Sequence, residues 1–184
     1  MAKYQLNSVL SPTAQTTKLL QLNKLPETAL TTTAERLMVN TCVPEFDRLI
    51  IELMYLNGLR VSEVLKIKGS DIISRNSFII RASKGSSDRI GYVVHNVQLF
   101  SSFAGSACYL FDCFSRFYVY RLFKRVGLSS EIIGNRNRAV THSLRHQRIE
   151  SIQSASSNVV GTAQLIGHKN VKSTAHYLSH TTKK

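Results

Sequence analysis

The chain has 184 residues and carries 24 Lys and Arg against 11 Asp and Glu, a formal charge of +13, which favours a polyanionic partner, most often nucleic acid. Cys42, Cys108 and Cys113 form no Cys-x-x-Cys pair and no finger spacing, so neither a disulfide framework nor a zinc site is expected, and reduced thiols in a cytosol are. The most apolar run, Leu49 to Leu56, contains Glu52 and is too short to span a membrane, and the N-terminus lacks the apolar core of a signal peptide.

This length fits one domain, or one domain with an arm. Residues 1–30 are rich in Thr, Gln, Leu and Lys and hold Pro12 and Pro26. They read as an arm or linker, too short to fold as a separate globular domain. Residues 31–184 form the domain proper. Thr32 and Glu35 have capping-box spacing and open a helix that runs to about Asn40. Pro44 starts a second helix, in which Phe46, Leu49, Ile50, Leu53 and Met54 keep helical spacing until Gly58. These five are expected in the core.

Arg60 follows that glycine, and a short helix carries Val61, Val64, Leu65 and Ile67. Arg60 and Glu63 are three residues apart and share a helix face. Taken alone, the pair reads as a surface ion pair of small energetic weight. A β-hairpin pattern comes next: Ser77 to Arg81 and Arg89 to Val94, joined by the polar Lys84-Gly85-Ser86-Ser87-Asp88. Lys84 sits at the mouth of the turn, where a lysine is ordinarily solvated. Residues 95–113 carry no clear pattern. Phe114 to Val126 reads as a helix closed by Gly127, with Phe117, Tyr118, Leu122 and Val126 assigned to the core and Arg121, Lys124 and Arg125 basic. Asn135 to Arg138 is a basic loop.

The last quarter gathers groups suited to phosphate chemistry. Residues 135–184 hold eight basic residues and one acid, Glu150. His142 and Arg145 are three apart, so a helix places them on one face. Asn158 can cap a further helix through Val159, Val160, Ala163, Leu165 and Ile166, and Gly167 can close it just before His168. Tyr177 lies in a second short helical segment with Val171 and Ala175.

Read together, Leu56-Asn57-Gly58-Leu59-Arg60-Val61-Ser62-Glu63, Lys84-Gly85, His142-Ser143-Leu144-Arg145-His146, Leu165-Ile166-Gly167-His168 and Tyr177-Leu178-Ser179-His180 resemble the catalytic domain of the tyrosine recombinases. That family includes phage integrases, chromosome-dimer resolving recombinases and fimbrial invertases. The spacing fits as well, with 23 residues from Arg145 to His168 and nine from His168 to Tyr177. The resemblance covers about residues 31–180. It implies a mainly α fold with a small antiparallel β-sheet (α+β). It makes Tyr177 the nucleophile, places Arg60, Arg145 and His168 on the scissile phosphate, makes His142 an acid/base and has Lys84 protonate the leaving oxygen. Glu63 matches the acidic neighbour that orients the first arginine. Arg136, Arg138 and Lys169 are candidate DNA contacts. The implied partner is double-stranded DNA, bound by four protomers on two sites. No cofactor and no metal are implied, and the implied setting is a bacterial or viral-host cytosol, at the nucleoid.

The chemistry of these groups agrees. A phenol of pKa near 10 is only about 0.1% ionised at pH 7 and needs a base or a positive field. His142 can serve as that base near neutral pH. Two guanidiniums fork onto phosphate oxygens and never lose their charge. No cluster of acids exists in the sequence to bind Mg²⁺, so Arg and Lys must stabilise the charge instead.

Some features depart from the family pattern. Only about 30 residues stand where members commonly carry an N-terminal domain, which suggests a single-domain invertase or a compact phage or mobile-element integrase. Gln147 and Arg148 interrupt the usual small and apolar continuation. Seven residues follow Tyr177, so self-association without DNA is expected to be weak or absent. Two other functions use similar groups: a type IB topoisomerase-like enzyme, and a non-catalytic DNA-binding relative, which would have no need of the phenol.

Overall fold

The helix Glu45–Leu56 stands at the centre, and its sequence explains why. Pro44 fixes the entry with φ −53° and ψ 143°. Leu49, Ile50, Ile51, Leu53 and Met54 are each fully enclosed, so the helix is apolar around most of its circumference, as a core helix must be. The computed structural model describes residues 33–83, 87–126, 128, 140–156 and 159–167, all within the compact unit Thr32–Lys184. The expected arm at 1–30 lies outside the described residues.

In chain order the helices are α1 (Thr33–Val39), α2 (Glu45–Leu56), α3 (Val61–Val64), α4 (Val97–Ser101), α5 (Arg116–Arg125), α6 (Val140–Ser156) and α7 (Val159–Ile166). A 3-10 turn, Gly69–Asp71, leads into β1 (Ile72–Ser74), β2 (Ser77–Ile80) and β3 (Arg89–Tyr92). The sheet is antiparallel in the order β1-β2-β3, with Phe78 opposite Gly91 and Ile80 opposite Arg89. Alternation sends Phe78 and Ile80 into the core. The fold is thus mainly α with a small antiparallel sheet, one strand larger than the hairpin pattern predicts. The unpatterned 95–113 stretch contains α4, whose Phe100 packs its ring 5.3 Å from that of Phe78.

Asn57 ties the end of α2 to the sheet. Its side chain donates to the Tyr92 carbonyl at 2.9 Å and accepts from the Tyr92 amide at 2.7 Å. Gly58 then turns the chain with φ +58°, a conformation that strongly favours glycine. A methyl group there would also lie 2.7 Å from Ile166 Cδ1. The turn therefore delivers Arg60 to the place where α2, α6 and α7 converge.

One expectation about packing is revised. Phe117 is 63% exposed instead of buried, because helical periodicity gives the core to Val119, Leu122 and Phe123. The Arg121 guanidinium covers its ring at 4.8 Å, and Lys124 lies 5.0 Å from the Tyr120 ring. Arg148, which interrupts the apolar pattern of α6, is itself buried at 3% exposure. Burial holds its guanidinium below the ordinary value, and Tyr55 and Glu35 offset part of that penalty.

Candidate active site

Arg60 occupies the residue before α3 in extended conformation. Its backbone amide donates to Glu63 Oε2 at 2.9 Å, and its Nη1 donates to Glu63 Oε1 at 3.0 Å. The three-residue spacing produces this double contact. It is no surface pair: the Glu63 side chain is 1% exposed and that of Arg60 26%.

Three more groups converge on the same carboxylate. Ser83 Oγ donates to Oε1 at 2.9 Å. Arg89 Nη2 lies 3.4 Å from Oε2, and Arg145 Nη1 lies 3.8 Å from it. Burial alone would push the Glu63 carboxyl up. The Arg60 amide, the Arg89 charge, the Ser83 hydroxyl and the Arg145 charge together outweigh burial and hold it below the usual range. Glu63 is therefore an anion at neutral pH, with three guanidiniums around it.

Arg145 lies on α6 with 1% exposure. It donates through Nη1 to the Gly58 carbonyl and through Nη2 to the Ile166 carbonyl at 3.1 Å. It thus fastens the turn after α2 to the end of α7. His142 is on the same helix, three residues earlier. Lys84, His168, Tyr177, Arg136, Arg138 and Lys169 lie outside the described residues. Of the expected set, the structure brings together Arg60, Glu63 and Arg145.

Sequence reasoning missed Ser83 and Arg89. Arg89 opens β3, and its side chain is only 7% exposed. Burial holds its guanidinium below the ordinary value, with Glu63 opposing and Arg60 adding to that shift. Among the described residues its Nε and Nη1 have no hydrogen-bond partner. It packs against Gly167, where φ is +74° and an added Cβ would lie 2.8 Å from Nη1. Gly167 therefore both closes α7 and leaves room for Arg89. No local spacing reveals Arg89, because the acid it faces lies 26 residues earlier, on α3.

The model of the phage integrase family matches residues 27–184. A tyrosine recombinase of Pseudothermotoga lettingae is 25% identical over 162 residues, 84% of this chain and 57% of that protein. The crystal structure of XerA recombinase superposes with a TM-score of 0.61 at 24% identity, over 83% of this chain and 58% of that one. XerH site-specific recombinase, in a pre-cleavage complex with its difH substrate, shares the fold at a TM-score of 0.53 and 17% identity, over 90% of this chain and 49% of that one. The chain spans about half the length of the curated relatives it matches.

Proposed function

The chain belongs to the phage integrase family, and from that premise we propose that it is a site-specific DNA recombinase that breaks and rejoins duplex DNA through a 3′-phosphotyrosyl bond. The supporting observation is the surplus of fixed positive charge at Glu63: Arg60, Arg89 and Arg145 face one carboxylate. Such a cluster attracts an anion, and preorganised cations stabilise charge as it develops on a phosphate. The exposed basic residues Arg116, Arg121, Lys124 and Arg125 on α5 add to the field that would draw DNA in.

The reaction balances without a redox step. The Tyr177 phenol oxygen attacks phosphorus and gives its proton to His142. The bond from phosphorus to the 5′ oxygen breaks, and Lys84 supplies that oxygen with a proton. A 5′-hydroxyl of a partner strand then reverses the step. Arg60, Arg145 and His168 hold the non-bridging oxygens. In the described geometry Arg145 donates to the carbonyls of Gly58 and Ile166, which fixes the plane of its five-donor guanidinium. Its proposed role uses the rest of that fork, with these two carbonyl bonds holding the guanidinium in place as a phosphate oxygen approaches. Double-stranded DNA is the proposed partner, with four protomers on two sites and weak association without DNA. Arg136, Arg138 and Lys169 are proposed DNA contacts. The proposed setting is a bacterial or viral-host cytosol.

The test begins with nicked duplexes of randomised sequence, from which SDS-resistant adducts select a site. Two copies of that site are then placed in a supercoiled plasmid. Inversion or excision of the intervening DNA supports recombination. Relaxation without exchange identifies a topoisomerase, and binding without adduct identifies a non-catalytic relative.

A further inference from the structure

Arg145 and Arg148 are three residues apart on α6, so they share a face. Both stems run beside Gly58: a methyl group there would lie 3.8 Å from Arg145 Cγ and 3.9 Å from Arg148 Cγ. Both residues are buried, but their guanidiniums meet different groups. Arg145 donates to the Gly58 and Ile166 carbonyls and faces Glu63. The charge of Arg148 is supported by Tyr55 on α2 and Glu35 on α1, against the burial that disfavours it. Those two are themselves joined, the Tyr55 hydroxyl donating to Glu35 Oε1 at 2.9 Å.

The apolar contacts of α6 leave such a link something to do. Among the described residues, Leu144 is the one buried apolar side chain that α6 gives to the main core. Ile149 and Ile152 pack instead with Ile166 of α7, in a small cluster of their own. Apolar burial is non-directional, so Leu144 alone defines the rotation of α6 about its axis only weakly. Arg148 also stands where the family pattern continues with small and apolar residues. An apolar side chain would fill the space without burying a charge, and such replacements often cost no stability. What the guanidinium adds is a fixed direction, from α6 towards Tyr55 and Glu35.

We propose that Arg148 is a positioning residue: anchored at Tyr55 and Glu35, it sets the rotation of α6 and so aims the Arg145 guanidinium at the scissile phosphate. The inference rests on the recombinase reading and deepens it. A guanidinium forks onto phosphate oxygens only with its plane correctly set. An error of about 1 Å costs on the order of 10²-fold in rate. Arg148 is itself only 3% exposed, so its effect falls on the rate of reaction and not on the affinity for DNA.

The experiment uses the full chain and the selected nicked duplex. Adduct formation is timed at saturating protein, affinity for the duplex is read by fluorescence anisotropy, and folding is followed by thermal unfolding. Arg148→Met replaces the guanidinium with an unbranched apolar chain that adapts to irregular space. Tyr55→Phe removes one hydroxyl. Each is also made in an Arg145→Lys background, in which the fork is already lost.

Arg148→Met is expected to form the adduct about 10- to 100-fold more slowly than the wild type, with affinity within about threefold and a melting temperature unchanged or raised. Tyr55→Phe should show the same pattern at smaller size, and it carries the test if Arg148→Met fails to fold. In the Arg145→Lys background either substitution should change the rate by less than about threefold, since residues that act through one another are not additive. If Arg145→Lys reacts too slowly to time, hydrogen exchange at the buried Arg145 Nε gives the reading, and Arg148→Met should speed it at least about tenfold. A normal rate without Arg148, equal slowing with and without the Arg145 fork, or unchanged exchange overturns the inference and leaves the recombinase reading in place. A wild type that forms no adduct overturns both.

Discussion

Glu52 on α2 and Glu63 on α3 are both buried, yet their partners differ in kind. Glu52 accepts the backbone amides of Val94 at 2.5 Å, His95 at 2.8 Å and Asn96 at 3.0 Å, and the Asn96 side-chain amide at 2.6 Å. All four donors are neutral. They satisfy the carboxylate's hydrogen bonds and pin the turn after β3 to the central helix. Glu63 instead faces three guanidiniums. Its hydrogen bonds are also satisfied, but the region keeps a positive surplus that nothing neutral would create. Hydrogen-bond completion at Glu52 makes architecture, and charge left over at Glu63 makes a place for an anion.

The two sites should therefore fail differently. Glu63→Gln removes the one anion among three cations. It is expected to slow adduct formation by about 100-fold and to destabilise the fold by about 3–5 kcal/mol, the usual cost of breaking a buried ion pair. Timed adduct formation and urea unfolding check the two parts. Glu52→Gln turns an amide group towards N–H donors. It should cost about 2–3 kcal/mol in urea unfolding, with the rate per folded molecule unchanged to within about threefold. If Glu52→Gln impaired the chemistry as much as Glu63→Gln, the distinction between the two sites would collapse.

Acid titration sharpens the same contrast. The folded pKa of Glu63 lies below its ordinary value of 4.5. Its contribution to stability is thus complete above that value and is lost as pH falls through the lower folded pKa. Glu63→Gln should flatten this acid limb of the stability curve, as followed by circular dichroism. The smallest expected effect concerns Arg60, which keeps partial exposure. Arg60→Ala should reduce the salt dependence of DNA binding by about one unit of slope, measured by fluorescence anisotropy across salt concentrations. An unchanged slope would mean that Arg60 serves Glu63 alone.

Local spacing made part of this legible. The period of Leu49, Ile50, Leu53 and Met54 identified the core helix, and Gly58 and Gly167 marked its end and that of α7 as the positive φ angles require. The interval from Arg60 to Glu63 gave their contact. What escaped reading depends on contacts distant in sequence. Arg89 meets Glu63 across 26 residues, and Arg145 meets Gly58 across 87. A charged residue at the start of a strand reads as solvent-facing until its partner is known. Strand β1 has three residues, too few for alternation to register. Phe117 shows the opposite error: its apolar character suggested burial, but the helix had only one face to bury, and that face went to Val119, Leu122 and Phe123.

The most direct measurement is the identity of the residue that holds DNA after reaction of the wild type in EDTA. Peptide mapping of the SDS-resistant adduct should find the 3′-phosphate on Tyr177, with the same rate in EDTA as in Mg²⁺ and no adduct for Tyr177→Phe. Attachment at another residue, or an adduct that forms only when divalent ions are supplied, would contradict the central claim that fixed cations around Glu63 let a tyrosine displace an alcohol from the DNA backbone.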